Sequence, residues 1–133
     1  MILDSLNMGI LKCLQQNARL SNAEIGRQVG ISSPAVSERI KKMEDLGIIE
    51  GYKAIVSPFE IGYQLKAIIT LRAFMGKLKP FLDKVKTYDE VINCYRITGD
   101  ENIVMEVVLK NQKHLEAFID QLISYGESKT QIV

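Results

Sequence analysis

Between Ser21 and Gly47 the sequence places two helix starts and two helix stops so closely that only two short helices joined by a tight turn fit. Ser21 followed three residues later by Glu24 is a capping box, in which each side chain satisfies a backbone N–H of the first helical turn. The helix it opens carries Ala23, Ile25 and Val29 and reaches Gly30, a residue that adopts the left-handed stop conformation without strain. After Ile31, Ser32 and Ser33 offer new N-caps, and Pro34 suits a first helical turn, where its missing N–H is no loss. Val36, Ile40, Met43 and Leu46 then space the expected buried stripe of the next helix, which Gly47 ends. Two helices joined by a turn of about four residues make a helix-turn-helix.

The flanks extend this unit. Leu6, Ile10, Leu11 and Leu14 mark one face of a preceding helix, with Asp4 as its N-cap. Gly9 within it costs on the order of 1 kcal/mol against alanine, so packing must hold that helix. Downstream, Ile48, Ile49, Tyr52 and Lys53 to Val56 predict a short β-hairpin turning near Gly51, which would be a wing. Ser57, Pro58, Gly62 and Tyr63 read as a linker, giving a first domain over 1–57 and a linker over 58–65.

From residue 66 the periodicity changes to strands alternating with helices. Strands are predicted at Lys66–Phe74, Glu90–Thr98, Ile103–Leu109 and Lys129–Val133. Leu78, Phe81, Leu82 and Val85 mark one helix, and Leu115, Phe118, Ile119, Leu122 and Ile123 another. The order βαββαβ is the ferredoxin-like arrangement. The chain is therefore expected to be α+β, an N-terminal winged helix-turn-helix followed by a ferredoxin-like domain over 66–133. Helices can cover only one face of such a sheet. Ile103, Met105, Val107 and Leu109 would face them, yet Val104, Val108 and Ile68 fall on the other side. That second apolar face, on a domain small for an independent core, predicts homodimerisation through the sheet.

Several classes are disfavoured. No apolar run approaches the ~20 residues of a membrane helix, and the N-terminus lacks the basic flank of a secretory signal, so a cytoplasmic protein without membrane association is expected. Cys13 and Cys94 read as small buried hydrophobes, with a disulfide or redox pair as the minor reading, and His114, without a Cys or His partner nearby, as a structural or surface residue. No metal, cofactor, nucleophile–base pair or Gly-rich phosphate loop is indicated, so no enzyme is expected.

If Val36, Ile40 and Met43 face the core, then Ser33, Ser37, Glu38, Lys41 and Lys42 look outward, with Arg39 toward one edge. Short hydroxyls let a backbone approach phosphates, and cationic side chains reach phosphate oxygens or guanine edges. Glu38 could accept from a cytosine amino group or pair with Lys42. Charge alone leaves an ordinary solvated helix equally open, because seven basic residues up to position 57 meet six acidic ones. The cap and glycine spacing favours double-stranded DNA as the partner.

The stretches Leu20-Ser21-Asn22-Ala23-Glu24-Ile25-Gly26, Val29-Gly30-Ile31-Ser32-Ser33-Pro34, Val36-Ser37-Glu38-Arg39-Ile40 and Leu46-Gly47-Ile48-Ile49-Glu50-Gly51-Tyr52, together with Tyr95-Arg96-Ile97-Thr98-Gly99-Asp100, resemble the Lrp/AsnC (feast/famine) transcription regulators. The resemblance covers nearly the whole chain. It implies strand-swapped dimers with stacked sheets, assembly toward an octamer, a last strand running on past Val133, and an amino acid or related effector bound near the Gly-Asp loop. By itself Gly99-Asp100 is ordinary hairpin-turn chemistry. With the resemblance, Gly99, Asp100, Glu101 and Asn102 become candidate effector contacts, joined by the hydroxyls of Ser128 and Thr130. The sequence departs from the family at Glu101-Asn102, where a Tyr and a second Asp are common. An uncompensated Glu101 would favour neutral or basic amino acids. Two rival readings remain at this point, a helix-turn-helix serving as a protein-docking module and an enzyme resembling the siroheme decarboxylases.

Overall fold

The computed structural model describes residues 3–133 and divides into two compact units, one ending at Ile55 and one beginning at Val56. The first contains helices α1 (Ser5–Gln16), α2 (Asn22–Val29) and α3 (Ser33–Asp45). Each opens on the cap its sequence offers. Asp4 accepts from the Asn7 N–H, Ser21 and Glu24 form the complete capping box, and Ser32 accepts from the Ala35 N–H with Pro34 in the first turn. Ile10, Cys13, Ile25, Val36 and Met43 form the core, with Leu11, Leu14, Leu20, Val29, Ile31, Ile40, Ile48 and Ile49 packed around it.

The α2–α3 turn is fixed by backbone. Gly30 adopts φ 84°, and the N–H groups of Gly30 and Ile31 both donate to the Gly26 carbonyl, at 2.8 and 3.0 Å. Gly26 is itself buried, and a Cβ there would fall 2.4 Å from the Ile31 carbonyl oxygen. The turn thus passes directly over a position that has no room for a side chain.

Asn7 is 2% exposed, and its side-chain oxygen is partnered. The Arg39 guanidinium of α3 reaches its side-chain oxygen at 3.2 Å and the Asp4 carboxylate at 2.9 and 3.1 Å. One cation therefore ties the start of α1 to the middle of α3. The Asn7 backbone bond, then Arg39, hold the Asp4 carboxyl below its ordinary value near 3.8.

Two expectations fail in this unit. Leu46 is 53% exposed rather than part of the buried stripe. α3 ends at Asp45, Gly47 turns the chain at φ 75°, and the N–H groups of Ile48 and Ile49 both donate to the Met43 carbonyl, so these two isoleucines fill the space instead. The expected wing hairpin is also absent. Residues 50–56 carry no strand pairing, and Ile55 is 96% exposed. With Ile48 and Ile49 committed to the core, Lys53–Val56 has no opposing run, and an isolated two-stranded hairpin is marginal.

The second unit begins with a single 3₁₀ turn, Phe59–Ile61. It continues as β1 (Leu65–Ala73), α4 (Leu78–Val85), β2 (Val91–Arg96), β3 (Ile103–Leu109), α5 (Gln112–Leu122) and β4 (Gly126–Ile132). The sheet order is β2-β3-β1-β4, antiparallel throughout, the ferredoxin-like topology. Ala67, Ile69 and Leu71 of β1 and Ile103, Met105, Val107 and Leu109 of β3 meet Phe81 and Val85 of α4 and Leu115, Phe118 and Leu122 of α5. Edge-to-face contacts of Phe81 with Tyr125 and Tyr88 with Phe118 close the core. β4 starts three residues earlier than its sequence suggests. Gly-Glu-Ser carries no apolar alternation, but Gly126 pairs with Ala73, where a Cβ would meet the Arg72 carbonyl oxygen at 2.2 Å.

The opposite face carries Ile68, Val104, Val108 and Tyr95, as the register requires. It is less apolar than expected, because Glu106 stands opposite Ile68 and pairs with Lys66 at 3.6 Å. His114 is structural. Its Nδ1 accepts from the Lys110 N–H, and its Nε2 lies 3.0 Å from Glu90. Both cysteines are free, Cys13 buried and Cys94 half-buried. Among the described residues no helix is long and apolar enough to cross a membrane, and no cluster could hold a metal ion.

Gly26→Ala forces the Ile31 backbone to move and should destabilise the first unit by roughly 1–3 kcal/mol or more, the cost of overpacking a tight site. Urea unfolding followed by far-UV circular dichroism measures this, and an unchanged midpoint contradicts the account of the turn. Because the Asp4 carboxyl titrates below 3.8 in the folded state, its stabilisation is present above that value and is lost as the pH falls through and below it. Asp4→Asn keeps an N-cap but should flatten the acid limb of the first unit's stability profile. A variant with the wild-type acid limb would mean that the carboxylate makes no such contribution.

Candidate nucleic-acid interface and effector cleft

On α3, Val36 and Met43 are buried while Ser33, Ser37, Glu38, Lys41 and Lys42 are exposed on the outer face. The Ser32 cap and Pro34 start the helix so that Ser33 and Ser37, four residues apart, share a side with Lys41. Among the described residues, no ion pair engages Glu38, Lys41 or Lys42. Arg39 differs from them. Its side chain is 32% exposed and is held by Asp4 and Asn7, so its charge is partly neutralised and its reach restricted. The i, i+4 pairing of Glu38 with Lys42 is not formed. This surface offers hydroxyls at the helix start and two free ammonium groups one residue apart, a pattern suited to phosphate oxygens and groove edges.

In the second unit, Arg72, Asp100, Glu101, Glu127, Ser128 and Lys129 line a cleft of ≈ 400 Å³. Gly99 has φ 115°, which lets the chain turn before Asp100 and Glu101. Contrary to the expectation from sequence, Glu101 is compensated. Lys129 lies 2.9 Å from it, holding its carboxyl below the usual range, while Glu101 in turn raises the Lys129 ammonium. Arg72 pairs with Glu127. Two ion pairs therefore wall the cleft, and Asp100 is in neither.

The remaining candidates separate. Asn102 has a structural role: its side-chain oxygen accepts from the Ala73 N–H at 3.0 Å, its N–H donates to Leu71 and its carbonyl accepts from Ile97. Ser128 and Thr130 pair with Leu71 and Ile69 and share their helix-bearing face, whereas Glu127 and Lys129 lie with Arg72 and Thr70 on the open face. Ser128 still reaches the cleft; Gly99, Asn102 and Thr130 are outside its lining. Arg72, Glu127 and Lys129 went unnoticed in the sequence because their convergence depends on the β1–β4 register. The opposite charges at Arg72 and Glu127 were the available signal.

Residues 3–50 match the family described as winged helix-turn-helix DNA-binding, and residues 66–133 match the Lrp/AsnC ligand binding domain. The chain is 33% identical to the transcriptional regulator LrpB of Bacillus subtilis, over 95% of this chain and 85% of that protein. The structure of B. subtilis LrpC superimposes with a TM-score of 0.94 at 27% identity, covering 100% of this chain and 95% of that one. That of the regulator NMB0573 of Neisseria meningitidis in complex with L-Met superimposes with a TM-score of 0.93 at 28% identity, covering 99% and 90%. An N-terminal helix-turn-helix, a four-stranded ferredoxin-like unit and family matches to both place this chain in the Lrp/AsnC family of transcription regulators.

Proposed function

We propose that this regulator reads double-stranded DNA with the outer face of α3 and is modulated by a small zwitterion, an amino acid or close relative, held at the Asp100 cleft. The observation that carries the DNA reading is the α3 surface itself. Ser33, Ser37, Lys41 and Lys42 are exposed and unengaged, on a helix whose position is fixed by the Gly26 turn and the Arg39 clasp. Lys41 and Lys42 contact phosphate, Ser37 and Glu38 approach base edges, and Arg39 acts by positioning α3. The α+β unit supplies the oligomer through the open sheet face around Val104, Ile68 and Tyr95. A dimer carries two α3 helices, which suits a two-fold symmetric site read in successive major grooves, with further association toward an octamer.

The effector reading is supported by the cleft's chemistry. Asp100, outside both ion pairs, is a carboxylate suited to an α-ammonium, and Arg72 beside it could exchange its partner Glu127 for a ligand α-carboxylate. The neighbouring Neisseria regulator was solved with L-Met, which is in keeping with a ligand of this class. The balanced Glu101–Lys129 pair removes the bias against acidic ligands that an isolated Glu101 would impose. Expression in the cytoplasm, where the DNA and free amino acids are, follows from this reading.

Lys41→Ala combined with Lys42→Ala should weaken binding to every duplex and reduce the slope of log affinity against log salt by about 0.9 for each phosphate left unneutralised. Ser37→Ala should instead alter sequence preference. Fluorescence anisotropy across a salt series makes the comparison, and wild-type affinity in the double lysine variant would remove α3 from the interface. For the cleft, calorimetric titration of the twenty amino acids should find at least one ligand whose binding is abolished in Asp100→Ala. Binding unchanged by that substitution puts the effector elsewhere, and no binding by any amino acid contradicts the effector reading.

A further inference from the structure

The first unit is poorly charged for a DNA-binding protein. Its seven basic residues meet six acidic ones, and Arg39 is already committed to Asp4. The chain's formal net charge is only +1. Against that background the segment around α4 stands apart. Residues 77–86 contain Lys77, Lys79, Lys84 and Lys86 against Asp83, a net +3, so the other residues together carry −2. All four lysines are exposed, and among the described residues none is in an ion pair.

Their placement follows from the fold. Phe81 and Val85 are buried against the sheet, with Leu78 and Leu82 packed beside them, so Pro80 and Asp83 form the outer crest of α4. Lys77 and Lys84 are seven residues apart on one flank of that crest, and Lys79 and Lys86 are seven apart on the other. Both flanking positions, Lys77 and Lys86, keep right-handed helical backbone angles. Seven residues advance about 10.5 Å along a helix. The result is two parallel pairs of cations straddling a ridge, with Lys84 also resting 5.9 Å from the centre of the Tyr88 ring. α5, on the same side of the sheet, shows no such bias, since Lys113 is followed by Glu116 and Asp120.

We propose that the lysine-flanked ridge of α4 is a second, sequence-independent phosphate-contacting surface for duplex DNA. The proposal rests on the DNA-binding reading above and deepens it. α3 reads the groove, and α4 supplies electrostatic attraction that the balanced first unit lacks. Ammonium groups on flexible stems suit a phosphodiester backbone, which presents a dense row of single charges and demands no fixed geometry from its partner. Asp83, alone between the two rows, opposes this attraction and sets its strength.

The test uses the full-length protein and a mixed-sequence duplex of about 60 base pairs as probe, with affinity followed across a salt series. Neutralising the ridge with Lys77→Gln, Lys79→Gln, Lys84→Gln and Lys86→Gln together should lower affinity at low salt and make the log–log salt slope shallower by about 2–4. Asp83→Asn alone should tighten binding, a gain that misfolding cannot produce. An unchanged salt slope in the quadruple variant, with no gain from Asp83→Asn, overturns the proposal while leaving α3 as the reader. Loss of poly-glutamate binding by the quadruple variant with DNA binding intact assigns the ridge to acidic proteins instead, and also overturns it. Failure of the wild-type protein to bind the duplex at any salt overturns this proposal and the α3 reading together.

Discussion

The backbone of Ile31 occupies the space where a side chain at position 26 would stand, and the rest of the first unit depends on that approach. Because Gly26 has no Cβ, its carbonyl can receive two N–H groups from the turn, and α3 leaves that turn at a fixed angle to α2. The Ser32 cap and Pro34 then start α3 at once, without slack. Arg39 completes the arrangement by binding the Asp4 cap and the buried Asn7 of α1. The exposed face of α3 is thus presented by a scaffold of backbone contacts and one buried-edge polar clasp. It does not rely on the hydrophobic core alone, which among the described residues of this unit has five buried apolar side chains.

The second unit solves a different problem. Its sheet has one face covered by two helices and one face left open, and β3 is wholly apolar on the covered face but sets Glu106 between Val104 and Val108 on the open one. On the covered side this gives a dense core closed by two aromatic edge contacts. On the open side Val104 and Ile68 are interleaved with the Lys66–Glu106 pair. An interface built there would contain a charged pair within its apolar patch. Such pairs contribute more to register than to affinity, since their desolvation offsets much of their attraction.

Features encoded locally were legible in the sequence, and features created by distant approach were not. The capping box of α2, the Ser32-Pro34 start of α3 and the bounds of β3 at Ile103–Leu109 were readable because cap chemistry and two-residue alternation operate within a few positions. The outward set on α3 followed from helical period alone. The clasp of Arg39 onto Asp4 was not legible, because the two lie 35 residues apart in the chain. Glu101 was misjudged for the same reason, its partner Lys129 coming from another strand. β4 began before its apolar signal because Gly126 pairs at a close backbone approach that strand propensity does not register. The wing failed because Ile48 and Ile49, read as one arm of a hairpin, are drawn into the core by the Met43 carbonyl and the apolar surface beneath it.

The central claim is that α3, held by the Gly26 turn, reads DNA sequence as part of a symmetric assembly. Selection of bound duplexes from a random-sequence pool by the purified full-length protein tests it most directly. The account predicts enrichment of a two-fold symmetric motif whose half-sites are about one helical turn apart, roughly 10 base pairs from centre to centre. A pool that stays random after repeated rounds, while the protein remains folded and able to retain DNA, would contradict it.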